Sequence, residues 1–261
     1  MNQSQETALK TLQFYATANY PCSYLDGQIA RSQVATPAHL IDTTGYSALI
    51  RHGFRRSGLF YYRPHCDQCQ ACRSLRLPVA EFQPDRSQKR AWTQHRQLIA
   101  TISSTPFFSP EHFALYQRYQ QARHPGGGMD ADNWAQYQDF LIDSRVDSLL
   151  VEFRAPPSGD GPGVLKMVSV IDQLDDGMSA VYTFYEPEPG QSFGTYNVLW
   201  QIRQAQARHL RYLYLGYWVA QSHKMSYKTR FKPFQLLVDN QWRAIRDSGS
   251  LDTLAFENFT R

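Results

Sequence analysis

Cys66-x-x-Cys69-x-x-Cys72 sets three of the chain's four cysteines at two-residue gaps, and Cys22 stands beside Pro21 in the same N-terminal part. Thiolates at that spacing can share one metal. A zinc site would take Cys22 or His65 as its fourth ligand. The same spacing opens an iron–sulfur run, although Arg73-Ser74-Leu75 stand where the later Cys-Pro of that run belongs. Buried structural thiols in a tight turn account for the pattern equally well, and a redox pair is a third account. In a reducing compartment it is not a disulfide framework.

Two further segments carry charge in a form that could recognise an anion. Gly53-Phe54-Arg55-Arg56-Ser57-Gly58 places two guanidinium groups between glycines, a fork for a carboxylate or phosphate, with a solvated arginine pair as the plain alternative. Lys224-Met225-Ser226-Tyr227-Lys228-Thr229-Arg230-Phe231-Lys232-Pro233 interleaves cations with aromatic rings. Single-stranded nucleic acid requires that mixture, charge for phosphates and π-faces for bases. Residues 201–233 contain seven Lys or Arg and no Asp or Glu, whereas Asp172, Asp175, Asp176, Glu186 and Glu188 crowd the stretch before them. A solvated basic face would also produce this map. The net charge of +4 by itself says little about partners.

Other chemistries lack their signatures. There is no G-x-x-x-x-G-K-[ST], no strand–G-x-G-x-x-G–helix, no G-x-S-x-G and no H-E-x-x-H, which argues against ATP, dinucleotide, serine-hydrolase and zincin chemistry. The run at 126–128 reads as a loop. The longest apolar run, 212–220, is under half of the roughly 20 residues a membrane-spanning helix needs, and residues 1–10 show no secretory signal. The expected location is the cytoplasm.

With 42% apolar and 14% aromatic residues, the 261-residue chain can bury a substantial core. A proline- and arginine-rich stretch at 78–96 suggests a boundary near residue 100, giving an N-terminal Cys/Arg-rich domain over 1–100 and a second domain over 101–261. Ser109-Pro110-Glu111 opens a helix that runs to 123, and Asp132 or Asn133 caps another through 144. Strands are expected at 149–153, 164–171 and 179–185, the last two joined through Asp175-Asp176-Gly177 as an antiparallel hairpin. A helix from Gly194-Thr195 buries Val198, Ile202 and Ala205 and ends at 211. Strands at 212–218 and 234–238 bracket a short basic helix or turn at 224–231. The order implies an α+β sheet covered by helices.

Several of these segments together are specific. Tyr20-Pro21-Cys22-Ser23-Tyr24-Leu25, Gly53 to Gly58, Tyr62-Arg63-Pro64-His65-Cys66 and its cysteine run, Tyr214-Leu215-Gly216-Tyr217-Trp218 and Lys224 to Lys228 resemble the aminoacyl-tRNA–protein transferase family. The similarity runs from about residue 10 to about 240 and is greatest to the bacterial leucyl-transferring branch, although Ser222 stands near a position where many members have cysteine. The resemblance implies a GNAT-like mixed sheet for the C-terminal part. It also implies transfer of leucine from leucyl-tRNA to proteins beginning with Asp or Glu, which marks them for degradation by the N-end rule. In the eukaryotic branch comparable cysteines hold zinc or an iron–sulfur centre, which extends a metal assignment to Cys22, Cys66, Cys69 and Cys72.

Such a reaction makes modest demands, because the ester of an aminoacyl-tRNA is already activated and no cofactor is required for transfer. An oxyanion site and the positioning of amine against ester are the main requirements. We expect the cleft among 181–185 and 212–217, with Tyr182, Tyr185, Tyr214 and Tyr217 at the donor. Arg55 and Arg56 are expected on the acceptor's carboxylate. Lys224, Lys228, Arg230 and Lys232 would meet tRNA phosphates while Tyr227 or Phe231 stacks on its end. No residue is identified as acid or base. The expected partners are leucyl-tRNA and proteins with N-terminal Asp or Glu, with no membrane. Three alternatives remain: an arginyl-tRNA–protein transferase, an acetyl-CoA-dependent acetyltransferase on the same fold, and a non-catalytic RNA-binding or iron–sulfur sensor protein.

Overall fold

The computed structural model describes residues 11–126 and 129–245. The expectation for residues 1–10, and the part of the loop at 127–128, lie outside the described residues.

Two sheets form the frame. The small one has the order β1 (Gln13–Ala16), β4 (Ser32–Thr36), β6 (Phe60–Pro64), β5 (Arg55–Ser57), with a short ribbon of β2 (Tyr20–Pro21) and β3 (Ile29–Ala30) beside it. The large one has eight strands in the order β14 (Gln241–Ile245), β13 (Phe234–Val238), β7 (Arg73–Pro78), β12 (Tyr212–Trp218), β11 (Gly177–Tyr185), β10 (Leu165–Gln173), β9 (Ser148–Arg154), β8 (Ile99–Ser103). All its pairs are antiparallel except β11 with β12. The strands expected at 149–153, 164–171, 179–185, 212–218 and 234–238 are all present. The large sheet also takes β7 from the cysteine-bearing N-terminal part and places it between β12 and β13.

Alternation along the strands divides the core. Leu149, Val151 and Phe153 face one side with Met167, Leu213 and Leu215, whereas Leu150, Val168 and Val170 face the other. The first face is covered by α5 (Phe193–Ala207), which contributes Tyr196, Leu199 and Ile202, and by α2 (Arg86–His95), whose Trp92 packs at 5.1 Å from Tyr196. The second face is covered by α3 (Pro110–Arg123) through Leu115 and Tyr116. Over the β7–β12 half, α1 (Thr43–Arg51) and the small sheet bury Tyr46, Leu49, Tyr61 and Tyr214. The architecture is therefore a large mixed sheet covered by helices, as the sequence implies.

Local signals set the helix starts. Asp42 accepts the Gly45 N–H at the start of α1. Asp85 and Gln88 exchange backbone bonds as a capping box at α2, and Pro110 occupies the first turn of α3. The second expected helix is shorter and irregular: α4 (Trp134–Tyr137), capped by Asn133 and Gln136, passes into a π-helical turn over Gln138–Ile142. The stretch at 78–96, read as a boundary, contains α2. Among the described residues no helix is long and apolar enough to cross a membrane.

Candidate functional site

β11 and β12 pair only over Gly177–Tyr212, Met178–Leu213 and Ser179–Tyr214, and then diverge. β12 turns away because its register against β7 shifts between Tyr214 and Gly216, and Gly216 takes a φ of +74°, a conformation that side chains disfavour. The gap is occupied by Arg55, which reaches it from β5. Its Nη2 donates to Ala180 O at 2.9 Å on β11. A Cβ on Gly216 would lie 2.0 Å from its Nη1. Glycine at 216 thus serves both the backbone turn and the passage of the guanidinium.

No carboxylate meets Arg55: it forms no ion pair among the described residues. The groups around it are tyrosines, Tyr62, Tyr46, Tyr217 and Tyr24, and its Cζ stands 5.8 Å from the Tyr217 ring centre. The Tyr217 hydroxyl donates to Gly53 O at 2.9 Å, and burial pushes its pKa well up, so it remains a neutral donor. Beside it Lys228 is 6% exposed and donates from Nζ to Tyr217 O at 2.5 Å. Burial, and secondarily the charge of Arg55, lower its pKa from 10.5 to about 7. Half-buried Arg55 and buried Lys228 therefore share one place, and among the described residues neither is in an ion pair. Such an arrangement is costly unless a ligand supplies the missing charge.

Arg56 has the opposite surroundings. Its Nε and Nη2 donate to Asp172 at 2.8 and 2.6 Å, Nη2 also reaches Ser148 Oγ at 3.0 Å, and neither side chain of the ion pair has exposed surface. That guanidinium is saturated by its own fold and ties β5 to β10. It has no free donor for an acceptor's carboxylate.

The other expected site residues are divided in the same way. Tyr217 stands at the divergence, and Tyr185, at the end of β11, packs on Tyr119 at 4.8 Å. Tyr182 instead accepts a hydrogen bond from Gln120 at 2.7 Å and packs on Phe140. Tyr214 is 2% exposed, and Arg76 Nη1 donates to its hydroxyl at 3.2 Å. In the basic segment, a 3-10 helix over His223–Arg230, Lys224, Tyr227, Arg230 and Lys232 are exposed. Lys228 is buried, and Phe231 packs in the core against Phe82. The segment expected to face tRNA thus sends its central lysine inward, a choice that strict cation–aromatic alternation does not reveal.

A cavity of about 580 Å³ adjoins this cluster and shares Tyr24, Tyr62 and Tyr217 with it. All four cysteines line it, each half-buried and unpaired. Cys66 donates to Arg31 O at 3.7 Å, Cys69 accepts the Ala71 N–H at 3.5 Å, and burial pushes the Cys72 thiol up to about 12. Among the described residues no three His, Cys, Asp or Glu side chains are arranged to hold a metal ion. The cysteines share a wall, and the three neighbouring sulfurs add to burial in raising Cys72.

The family model described as arginine-tRNA-protein transferase, N terminus, matches residues 20–90, and the one described as its C terminus matches residues 111–238. An aspartate/glutamate leucyltransferase of Nitrosospira multiformis is 53% identical over 257 residues, which cover 98% of this chain and 100% of that protein. One of Methylobacillus flagellatus is 54% identical over 241 residues, covering 92% and 94%. A crystal structure of FemX aligns over 97% of this chain and 98% of that one, with a TM-score of 0.49 and 9% identity.

Proposed function

The chain belongs to the aminoacyl-tRNA–protein transferase family, and from that premise we propose that it transfers leucine from leucyl-tRNA to the N-terminal Asp or Glu of acceptor proteins. The observation that carries the acceptor half of this reading is the half-buried Arg55, beside buried Lys228, with no ion pair among the described residues. An acceptor's side-chain carboxylate supplies the missing charge. Charge-assisted hydrogen bonds of this kind contribute about 1.5–3 kcal/mol each. Arg56 then serves the site by holding β5 in place.

The acceptor's α-amine attacks the carbonyl carbon of the leucyl ester. The new bond is N–C, the bond broken is that from carbon to the ribose oxygen, and the proton lost by nitrogen ends on the ribose hydroxyl. An α-amine of pKa about 7.7–8.0 is neutral in roughly a tenth of molecules at pH 7, so positioning is the main requirement. The amine and ester meet where β11 and β12 diverge, beside Arg55 and with Tyr185 and Tyr217 near. Lys224, Arg230 and Lys232 meet phosphates of the donor's end and Tyr227 stacks on it. An apolar pocket for leucine rejects an arginyl group, because an unpaired guanidinium is costly to bury. No step passes through a metal or cluster. The reaction is placed in the cytoplasm, where charged tRNA is made.

The test offers the purified protein leucyl-tRNA or arginyl-tRNA with peptides that differ only in an N-terminal Asp, Asn or Ala. Leucine appearing on the Asp peptide alone is the expected result. Transfer from arginyl-tRNA instead, or from neither donor, would overturn the reading.

A further inference from the structure

The stretch at 78–96 reads in the sequence as a boundary and has no part in the site described above. In the fold it carries α2, whose solvent side presents Arg86, Lys89 and Arg90, with Arg96 just past its end. Positions i, i+3 and i+4 lie on one helix face about 5–6 Å apart. Across a groove of about 280 Å³ stands Arg203 of α5, its Cζ 3.7 Å from the ring centre of Trp92. Stacking holds this guanidinium flat, with no carboxylate among the described residues as its anchor.

Several cations elsewhere on the molecule, exposed or half-buried, are paired. Arg118 meets Glu186, Arg154 meets Glu111 and Glu152, Arg31 meets Asp67, and Lys166 meets Glu188. None of the cations on this face is in an ion pair among the described residues. Acidic groups adjoin this face at both ends: Asp85 is the N-cap of α2, its carboxyl held low by the Gln88 N–H and more weakly by Arg230, and Glu188 acts on His95. The position of α2 is also informative. Gln88 donates to Arg230 O at 3.0 Å, on the segment that follows β12, and Gln94 donates to Gln191 Oε1 at 2.9 Å, on the segment that follows β11. The helix thus spans the exit from the diverging strands, where a polyanion whose 3′ end lies between them would leave the protein.

We propose that the outer face of α2, with Arg203 and Arg230, is a docking surface for the phosphate backbone of the donor tRNA beyond its aminoacylated 3′ end. The proposal rests on the leucyl-tRNA reading above. Each phosphate that a cation neutralises releases counterions, so the contacts contribute affinity and salt dependence and leave the chemical step alone.

The test is the charge reversal Arg86→Glu/Lys89→Glu/Arg90→Glu. It leaves Gln88 in place, and acidic residues in the first turns suit the helix dipole. The expected result is a KM for leucyl-tRNA raised at least tenfold at an unchanged kcat. The slope of log affinity against log salt should be smaller by about three. Transfer from a leucylated 3′-terminal trinucleotide, too short to reach α2, should stay within twofold. Arg203→Ala should raise the KM for leucyl-tRNA three- to tenfold. A KM for leucyl-tRNA within twofold of the parent, or an equal loss on the short donor, would overturn the surface. If the parent transfers no leucine at all, the functional reading fails by itself. The surface is then judged by fluorescence anisotropy of labelled uncharged tRNA, where equal binding by parent and triple variant rejects it.

Discussion

Arg55 and Arg56 are neighbours on β5, and strand alternation sends them to opposite sides. Arg56 enters a closed region where Asp172, Ser148 and the carbonyls of Gly58 and Asp143 consume its donors. Arg55 enters an open one, where a strand carbonyl and tyrosine rings receive it and, among the described residues, no carboxylate does. The first region uses charge to hold two sheets together. The second holds charge that no ion pair among the described residues takes up.

Breaking the closed region should have the largest effect. Arg56→Met leaves Asp172 buried and uncompensated and should cost about 3–5 kcal/mol in denaturant unfolding. Adding Asp172→Leu should restore much of the loss. Next in size is the pH dependence of the open region. Lys228 is faced by Arg55, by the Tyr227 ring and by Tyr217 O. Its folded pKa of about 7 lies below its unfolded 10.5. Between those values the unfolded chain holds more protons, so its contribution makes stability rise with pH across that window, and the cost is fully present below 7. Lys228→Met should therefore gain stability relative to the parent at pH 6, by up to a few kcal/mol, since each tenfold change in proton affinity is worth about 1.4 kcal/mol. The gain should shrink toward pH 10. A gap independent of pH would mean that Lys228 is not the titrating group.

Arg55→Ala should separate stability from activity. Unfolding should change by about 1 kcal/mol, while kcat/KM for an Asp acceptor falls roughly 10- to 150-fold and the Asp-over-Asn preference disappears. An intact preference would remove Arg55 from acceptor recognition. The smallest effect belongs to Tyr217→Phe, which deletes the bond to Gly53 O and should cost about 0.5–1.5 kcal/mol.

The strands of the large sheet's second half were legible because apolar runs bounded by turn residues, such as 212–218 and 234–238, need no distant information. β7 was not. Arg73-Ser74-Leu75-Arg76-Leu77-Pro78 contains two arginines and ends in proline, so its pattern opposes a central strand. Only its partners, β12 and β13, make it one. The residue types at the site were legible at Arg55, Tyr217 and the basic segment. Their division into matched and unmatched charges was not, because Asp172 lies far along the chain from Arg56. The burial of Lys228 was hidden for the same reason, since its hydrogen-bond acceptor is a carbonyl on another element. Helix α2 had a readable signal in Asp85-Arg86-Ser87-Gln88, a capping box that the surrounding proline and arginine content obscured.

The position of β7 has a consequence for how the chain acquires its structure. During synthesis β7 leaves the ribosome long before β12 and β13, the two strands between which it must insert. Until they arrive, Leu75 and Leu77 have no sheet to join, and the cysteine cavity lacks its Tyr217 and Leu237 walls. Closure of so long a loop makes for slow folding. A chain interrupted after β12 would leave β7 with an open edge, prone to pairing with another chain. Completion of the C-terminal strands is thus also the step that protects the N-terminal half from aggregation.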